Sequence, residues 1–135
     1  MFKRFIKPVY AHCDVPCGIY ETDTMRHAAD TVKSMVERYE EIGKLDPADP
    51  EAMNKAVRAV ATKEEHAQRC KDQLYILWSD YFKPEHIEKI PNFHDIFWQA
   101  TRQCSKVKRT MSIKESDKLI EMIHEISHIF QDTKK

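Results

Sequence analysis

The chain has 135 residues, with 22 basic side chains against 22 acidic ones and a mean hydropathy of -0.65. That length makes one domain with room for a real core beneath a very polar surface. The balanced charge gives no electrostatic footprint for nucleic acid or an anionic membrane, and no apolar stretch approaches the roughly twenty residues that span a bilayer.

In chain order, the first segment is Met1 to Ala11, with Lys3, Arg4, Lys7 and Pro8 interrupting its apolar residues. These interruptions leave no continuous hydrophobic region of the kind a secretory signal needs. The segment reads as a short pro-segment, 1–11, removed on maturation, and the functional domain as 12–135. Two of the four cysteines fall just beyond it, while Cys70 and Cys104 fall on apolar helical faces as small core residues. Such usage does not call for disulfides and favours a reducing cytoplasm.

The next run is His12-Cys13-Asp14-Val15-Pro16-Cys17-Gly18-Ile19-Tyr20, directly behind Ala11. By itself a Cys-x-x-x-Cys pair is ambiguous between half a disulfide, part of a zinc site and two unrelated thiols. Cleavage after Ala11 changes its chemistry. A chain beginning at His12 offers a terminal amine, the amide nitrogen of Cys13, the thiolates of Cys13 and Cys17, and the His12 imidazole. Amine, amide and the Cys13 sulfur close two fused chelate rings on one ion. Pro16, with its fixed φ, and Gly18, with its freedom at positive φ, bend the chain so that Cys17 reaches the remaining corner. Two thiolates and two nitrogens in a plane, with imidazole as an axial fifth ligand, suit a square-planar ion such as Ni(II).

Four helical patterns follow. From Asp23 to Ile42 the apolar residues Met25, Ala28, Val32, Met35, Tyr39 and Ile42 alternate spacings of three and four, and Gly43 stands at the position of a C-terminal cap. Asp49-Pro50-Glu51 supplies an N-cap, a first-turn proline and an acidic first turn for a long second helix running to Pro84, with Met53, Val57, Val60, Ala67, Cys70, Leu74, Leu77 and Tyr81 inward. A third, from about Pro91 to Lys108, turns Phe93, Ile96, Phe97, Ala100, Cys104 and Val107 inward. The fourth opens on the capping box Ser112-Ile113-Lys114-Glu115 and carries Leu119, Ile120, Ile123, Ile126 and Phe130 on one face. No alternating strand pattern competes. Four amphipathic helices with short connections predict an all-α fold, an antiparallel up-down four-helix bundle with an N-terminal metal-binding hook across one end.

A second motif, His124-Glu125-Ile126-Ser127-His128, matches His-Glu-x-x-His, which places two imidazoles one helical turn apart as in zinc peptidases. It lacks a third ligand, since the nearest carboxylate, Asp132, continues the same helix. His27, His66, His86 and His94 read as lone surface or half-buried residues. Trp78, Phe82, Phe93, Phe97 and Trp98 read as core or subunit contacts.

The run His-Cys-Asp-x-Pro-Cys-Gly-x-Tyr resembles the hook of the nickel-containing superoxide dismutases. Leu77-Trp78-Ser79-Asp80-Tyr81-Phe82-Lys83-Pro84 is similar to a second segment of that family, and the closing Ile129-Phe130 and Thr133-Lys134-Lys135 extend the likeness over nearly everything after Ala11. The resemblance implies superoxide dismutation to oxygen and hydrogen peroxide, a nickel cofactor held by His12, Cys13 and Cys17, and assembly as a homohexamer after the action of a maturation protease. It places the phenols of Tyr20 and Tyr81 beside the metal, where they order water and limit what approaches, and makes Asp14 and Asp80 helpers of the hook's hydrogen bonding. Lys83 is a candidate for steering the anionic substrate. One departure stands out: where the family has a glutamate and an arginine that hold the first imidazole, this chain has Ala28 and His66. His66 is therefore the candidate partner of the His12 ring. The rival readings are a non-catalytic metal carrier and a helical interaction domain with an unprocessed N-terminus.

Overall fold

The computed structural model describes residues 19–135. The pro-segment and the hook residues His12, Cys13, Asp14 and Cys17 lie outside them. The described chain forms helices α1 (Asp23–Ile42), α2 (Pro50–Ile76), α3 (Pro84–Ile87), α4 (Phe93–Lys108) and α5 (Ile113–Asp132), with a π-helical turn, Leu77–Tyr81, continuing α2. Helix α1 packs on α2, α2 on α4, α4 on α5 and α5 back on α1, so the four long helices close a ring around one core. This is the antiparallel bundle expected from the four stripes and their short connections.

Local chemistry sets most boundaries. The Asp49 carboxylate accepts from the Glu51 N–H at 3.1 Å with Pro50 in the first position, opening α2. Helix α1 ends at Ile42 as expected, but Gly43 sits at φ -62°, so its left-handed freedom goes unused. Asn92, by contrast, adopts φ 57°, the left-handed region that asparagine tolerates, and starts α4 at Phe93 instead of Pro91. The long second helix does not run unbroken to Pro84. Its last turn widens to π geometry at Leu77–Tyr81, and the chain leaves it at Phe82 in an extended conformation before the short α3.

The core contains Met25, Val32, Leu74, Phe97, Leu119, Ile123 and Phe130, all at 1 % exposure or less. Cys70 and Cys104 are fully buried, as read from their helical faces. A hydrogen bond with Cys104, reinforced by burial, pushes the Cys70 thiol well above its ordinary range and keeps it protonated and unreactive. The start of α2 departs from the expected inward set. Met53 and Val57 are 61 % and 63 % exposed, while Ala52, Ala59, Lys63 and Ala67 face inward. The helix is rotated so that small residues form the seam, a choice that spacing of large apolar residues cannot reveal. Trp78 and Trp98 are likewise exposed, and Tyr39 lies at the surface.

The capping box of α5 is formed in one half. The Ser112 hydroxyl accepts from the Glu115 N–H at 3.3 Å, whereas the Glu115 carboxylate turns to α4, taking a hydrogen bond from Gln103 at 2.8 Å and pairing with Lys106 at 2.9 Å. Gln103 Nε2 also donates to the Glu115 carbonyl. The Gln103 bond, then Lys106, hold the Glu115 carboxyl below its usual range. A lowered folded value contributes stability above the unfolded pKa, and that contribution is lost as pH falls through the folded one. Glu115→Gln is therefore expected to melt below the parent chain near neutral pH, with the two melting curves converging in acid; a gap independent of pH would contradict this.

Candidate functional site

Residues 19–22 meet the bundle at the end where α1 begins, α2 finishes in its π turn and α5 stops. Thr22, just ahead of α1, is buried and its hydroxyl lies 2.7 Å from that of Ser127 on α5, which pins the entry point. Two residues earlier, the Tyr20 ring lies 5.3 Å from the Tyr81 ring at 55°. The structure thus joins the two phenols that the sequence placed sixty-one positions apart.

Tyr81 is held on several sides. Its ring packs 4.6 Å from Phe130, 5.0 Å from Phe82 and 5.9 Å from His86, the last nearly parallel at 19°. Its hydroxyl lies 2.8 Å from Thr133 Oγ1, and that threonine donates to the Phe130 carbonyl at 2.7 Å. Because the threonine proton is spent on the carbonyl, the Tyr81 phenol donates to Thr133. Lys134 sits 4.2 Å from the centre of the Phe130 ring and donates to the Tyr20 carbonyl at 3.4 Å, bringing positive charge to the same end. Thr133, Lys134 and His86 were not legible as site residues, since each meets Tyr20 or Tyr81 only through the fold.

The other expected site residues are placed as follows. Asp80 is exposed in the π turn, with its carboxylate 3.0 Å from the Ser79 hydroxyl oxygen. Lys83 is exposed, and its backbone N–H donates to His86 Nδ1 at 3.2 Å. His66 is half-buried on α2, where it meets His27 of α1 with ring centres 6.4 Å apart, a pairing that reading each histidine as solitary missed. His124 and His128 are exposed on α5. Among the described residues no three His, Cys, Asp or Glu side chains come together as a metal site.

A sequence profile of the family described as nickel-containing superoxide dismutase matches residues 7–134. The chain belongs to this family. Its relatives include the nickel superoxide dismutases of Streptomyces seoulensis, 35 % identical over 138 aligned positions, and of Streptomyces coelicolor, 36 % identical, each alignment covering 100 % of this chain and 99 % of the relative. A native nickel superoxide dismutase structure superposes with a TM-score of 0.78 at 35 % identity, covering 92 % of this chain and 100 % of that one. Family membership thus agrees with the bundle, and His12, Cys13 and Cys17 fall within the matched stretch but outside the described residues.

Proposed function

We propose that this chain is a nickel superoxide dismutase whose metal is held by His12, Cys13 and Cys17 once residues 1–11 are removed. The observation that carries the reading is the hook sequence, inside a family match that runs from residue 7 to residue 134 and leads directly into the paired phenols of Tyr20 and Tyr81. When bound, nickel supplies a one-electron cycle between Ni(II) and Ni(III), so that one superoxide is oxidised to oxygen and a second, with two protons, is reduced to hydrogen peroxide. The Cys13 and Cys17 thiolates and the deprotonated Cys13 amide donate the negative charge that brings this cycle into range, and the His12 amine and imidazole complete the set. Tyr20 and Tyr81 order water at the site and restrict entry, and that water is the proton source. Asp14 and Asp80 hydrogen-bond the hook. His66 orients the His12 ring in place of the family's arginine, and Lys83 attracts the anionic substrate.

Removal of residues 1–11 by a maturation protease belongs to this reading, because only cleavage after Ala11 frees the His12 amine as a metal donor. Homohexamer assembly belongs to the same reading, and exposed Met53, Val57 and Trp98 are apolar surface that partner subunits would cover. No helix among the described residues is long and apolar enough to cross a membrane, and a cytoplasmic location is part of the proposal.

The test is reconstitution. A chain expressed to begin at His12 is expected to consume superoxide with nickel and not with zinc, and the chain still beginning at Met1 is expected to be inactive with either. Nickel uptake by the His12-initiated chain without turnover would instead identify a carrier.

A further inference from the structure

His27 and His66 face each other across the α1–α2 seam, ring centres 6.4 Å apart and planes inclined by 36°. Their hydrogen bonds fix where the ring protons are. His66 Nδ1 lies 2.9 Å from the Thr62 carbonyl oxygen, which only accepts, so Nδ1 carries the proton and Nε2 the lone pair. On α1 the Thr31 hydroxyl donates to the His27 carbonyl at 2.8 Å. With that proton spent, Thr31 Oγ1 accepts from His27 Nδ1 across a long 3.4 Å contact, leaving the lone pair of this ring on Nε2 as well. Each helix therefore holds its own imidazole in the same tautomer.

An imidazole whose other nitrogen donates to a carbonyl or hydroxyl of its own scaffold is prepared as a metal ligand, because that bond fixes both tautomer and ring direction. Metal–nitrogen bonds of about 2.0–2.1 Å put the centres of two rings sharing one ion on the order of 5 to 6.4 Å apart, according to the angle at the metal. The 6.4 Å separation lies at the wide end of that range, the value for two nitrogens opposite each other across the ion. His27 is exposed, so the remaining coordination positions open to water.

We propose that His27 and His66 form a second, two-imidazole site for a divalent ion of the nickel, copper and zinc class, separate from the thiolate hook. Imidazole suits these ions and does not select magnesium or calcium. The site stands on the described bundle and does not depend on the hook reading. It shares His66 with the hook reading, in which that ring orients His12.

The test uses the full chain carrying Cys13→Ser and Cys17→Ser, to remove the thiolates, and His128→Ala, to separate the two imidazoles one turn apart on α5. Equilibrium dialysis against nickel chloride is expected to give one saturable ion per chain. Adding His27→Ala or His66→Gln abolishes that uptake, while Thr31→Val, which frees the His27 tautomer, weakens it on the order of tenfold. Proton NMR shows paramagnetic broadening first at the His27 and His66 rings, a readout that works even where a substitution lowers stability. Unchanged uptake in His27→Ala, broadening confined to other histidines, or no saturable uptake in the starting chain would each overturn the assignment.

Discussion

Serine at Cys13 or Cys17 is expected to remove superoxide turnover from the His12-initiated chain by on the order of 10³-fold or more, the scale seen when one member of a catalytic unit is lost. The nickel is lost with it. A cysteine thiol ionises near neutral pH and ionises outright on binding a metal, whereas a serine hydroxyl keeps its proton and offers a hard oxygen to an ion that favours soft donors. The substitution removes charge donation as well as affinity, so an excess of nickel is not expected to restore turnover. Cys13 and Cys17 lie ahead of the bundle, and its core of Met25, Val32, Leu74, Phe97 and Phe130 is unaffected, so the melting temperature of the metal-free chain stays where it was. Cys70→Ala gives the converse result. It leaves a cavity in the packed interior and lowers stability while metal content and activity per folded chain persist, since that thiol is buried beside Cys104. Superoxide consumption, nickel by mass spectrometry and thermal melting, measured on the three variants, separate the two classes of cysteine. Full turnover in either hook variant would end the nickel-thiolate account.

The parts of this protein that depend on neighbours in sequence were legible, and those that depend on which helix meets which were less so. Helix α1 could be bounded at Asp23 and Ile42 because period and punctuation are local. The π turn was not, because widening a helix over Leu77–Tyr81 leaves the apolar spacing of Leu74 and Leu77 undisturbed; the nearest signal was Ser79, whose hydroxyl bonds back to the Tyr75 carbonyl at 2.7 Å. At the start of α2, large side chains at Met53 and Val57 outweighed the alanines that make the seam. For the site, the hook could be proposed from the sequence because its candidate donors fall within six residues. Tyr20 and Tyr81 could be named only through family resemblance, and Thr133, the partner of Tyr81, emerges only from the bundle, fifty-two positions further on. The pairing of His27 with His66 lies in the same category: single histidines on separate helices carry no mark of facing one another.

Lys63 is the plainest case of information held by packing alone, and its removal is expected to be the most destabilising substitution in the bundle. It is 2 % exposed, yet its ammonium donates to the carbonyls of Val107, Lys108 and Thr110 at 2.8, 2.8 and 2.7 Å. Helix α4 ends at Lys108, where the last carbonyls have no partner within the helix and the backbone dipoles leave partial negative charge. A lysine from the middle of α2 therefore serves as the C-terminal cap of α4, using all three of its N–H donors. Lys63→Met keeps the length of the side chain and discards the donors, stranding buried carbonyl oxygens. Each buried carbonyl oxygen left without a donor costs about 1–3 kcal/mol, and for a chain of this size the fall in melting temperature is roughly 5 °C or more. Burial also pulls the Lys63 pKa below its ordinary value. Between the lowered folded value and the ordinary unfolded one, the unfolded chain binds more protons, so the stability of the parent rises with pH across that window. The methionine variant lacks this contribution, and the gap between the two chains should widen as the alkaline window is crossed. Calorimetric melting of both proteins from neutral pH upward measures both effects, and a difference of only a degree or two at neutral pH would show that the end of α4 does not need its cap from α2.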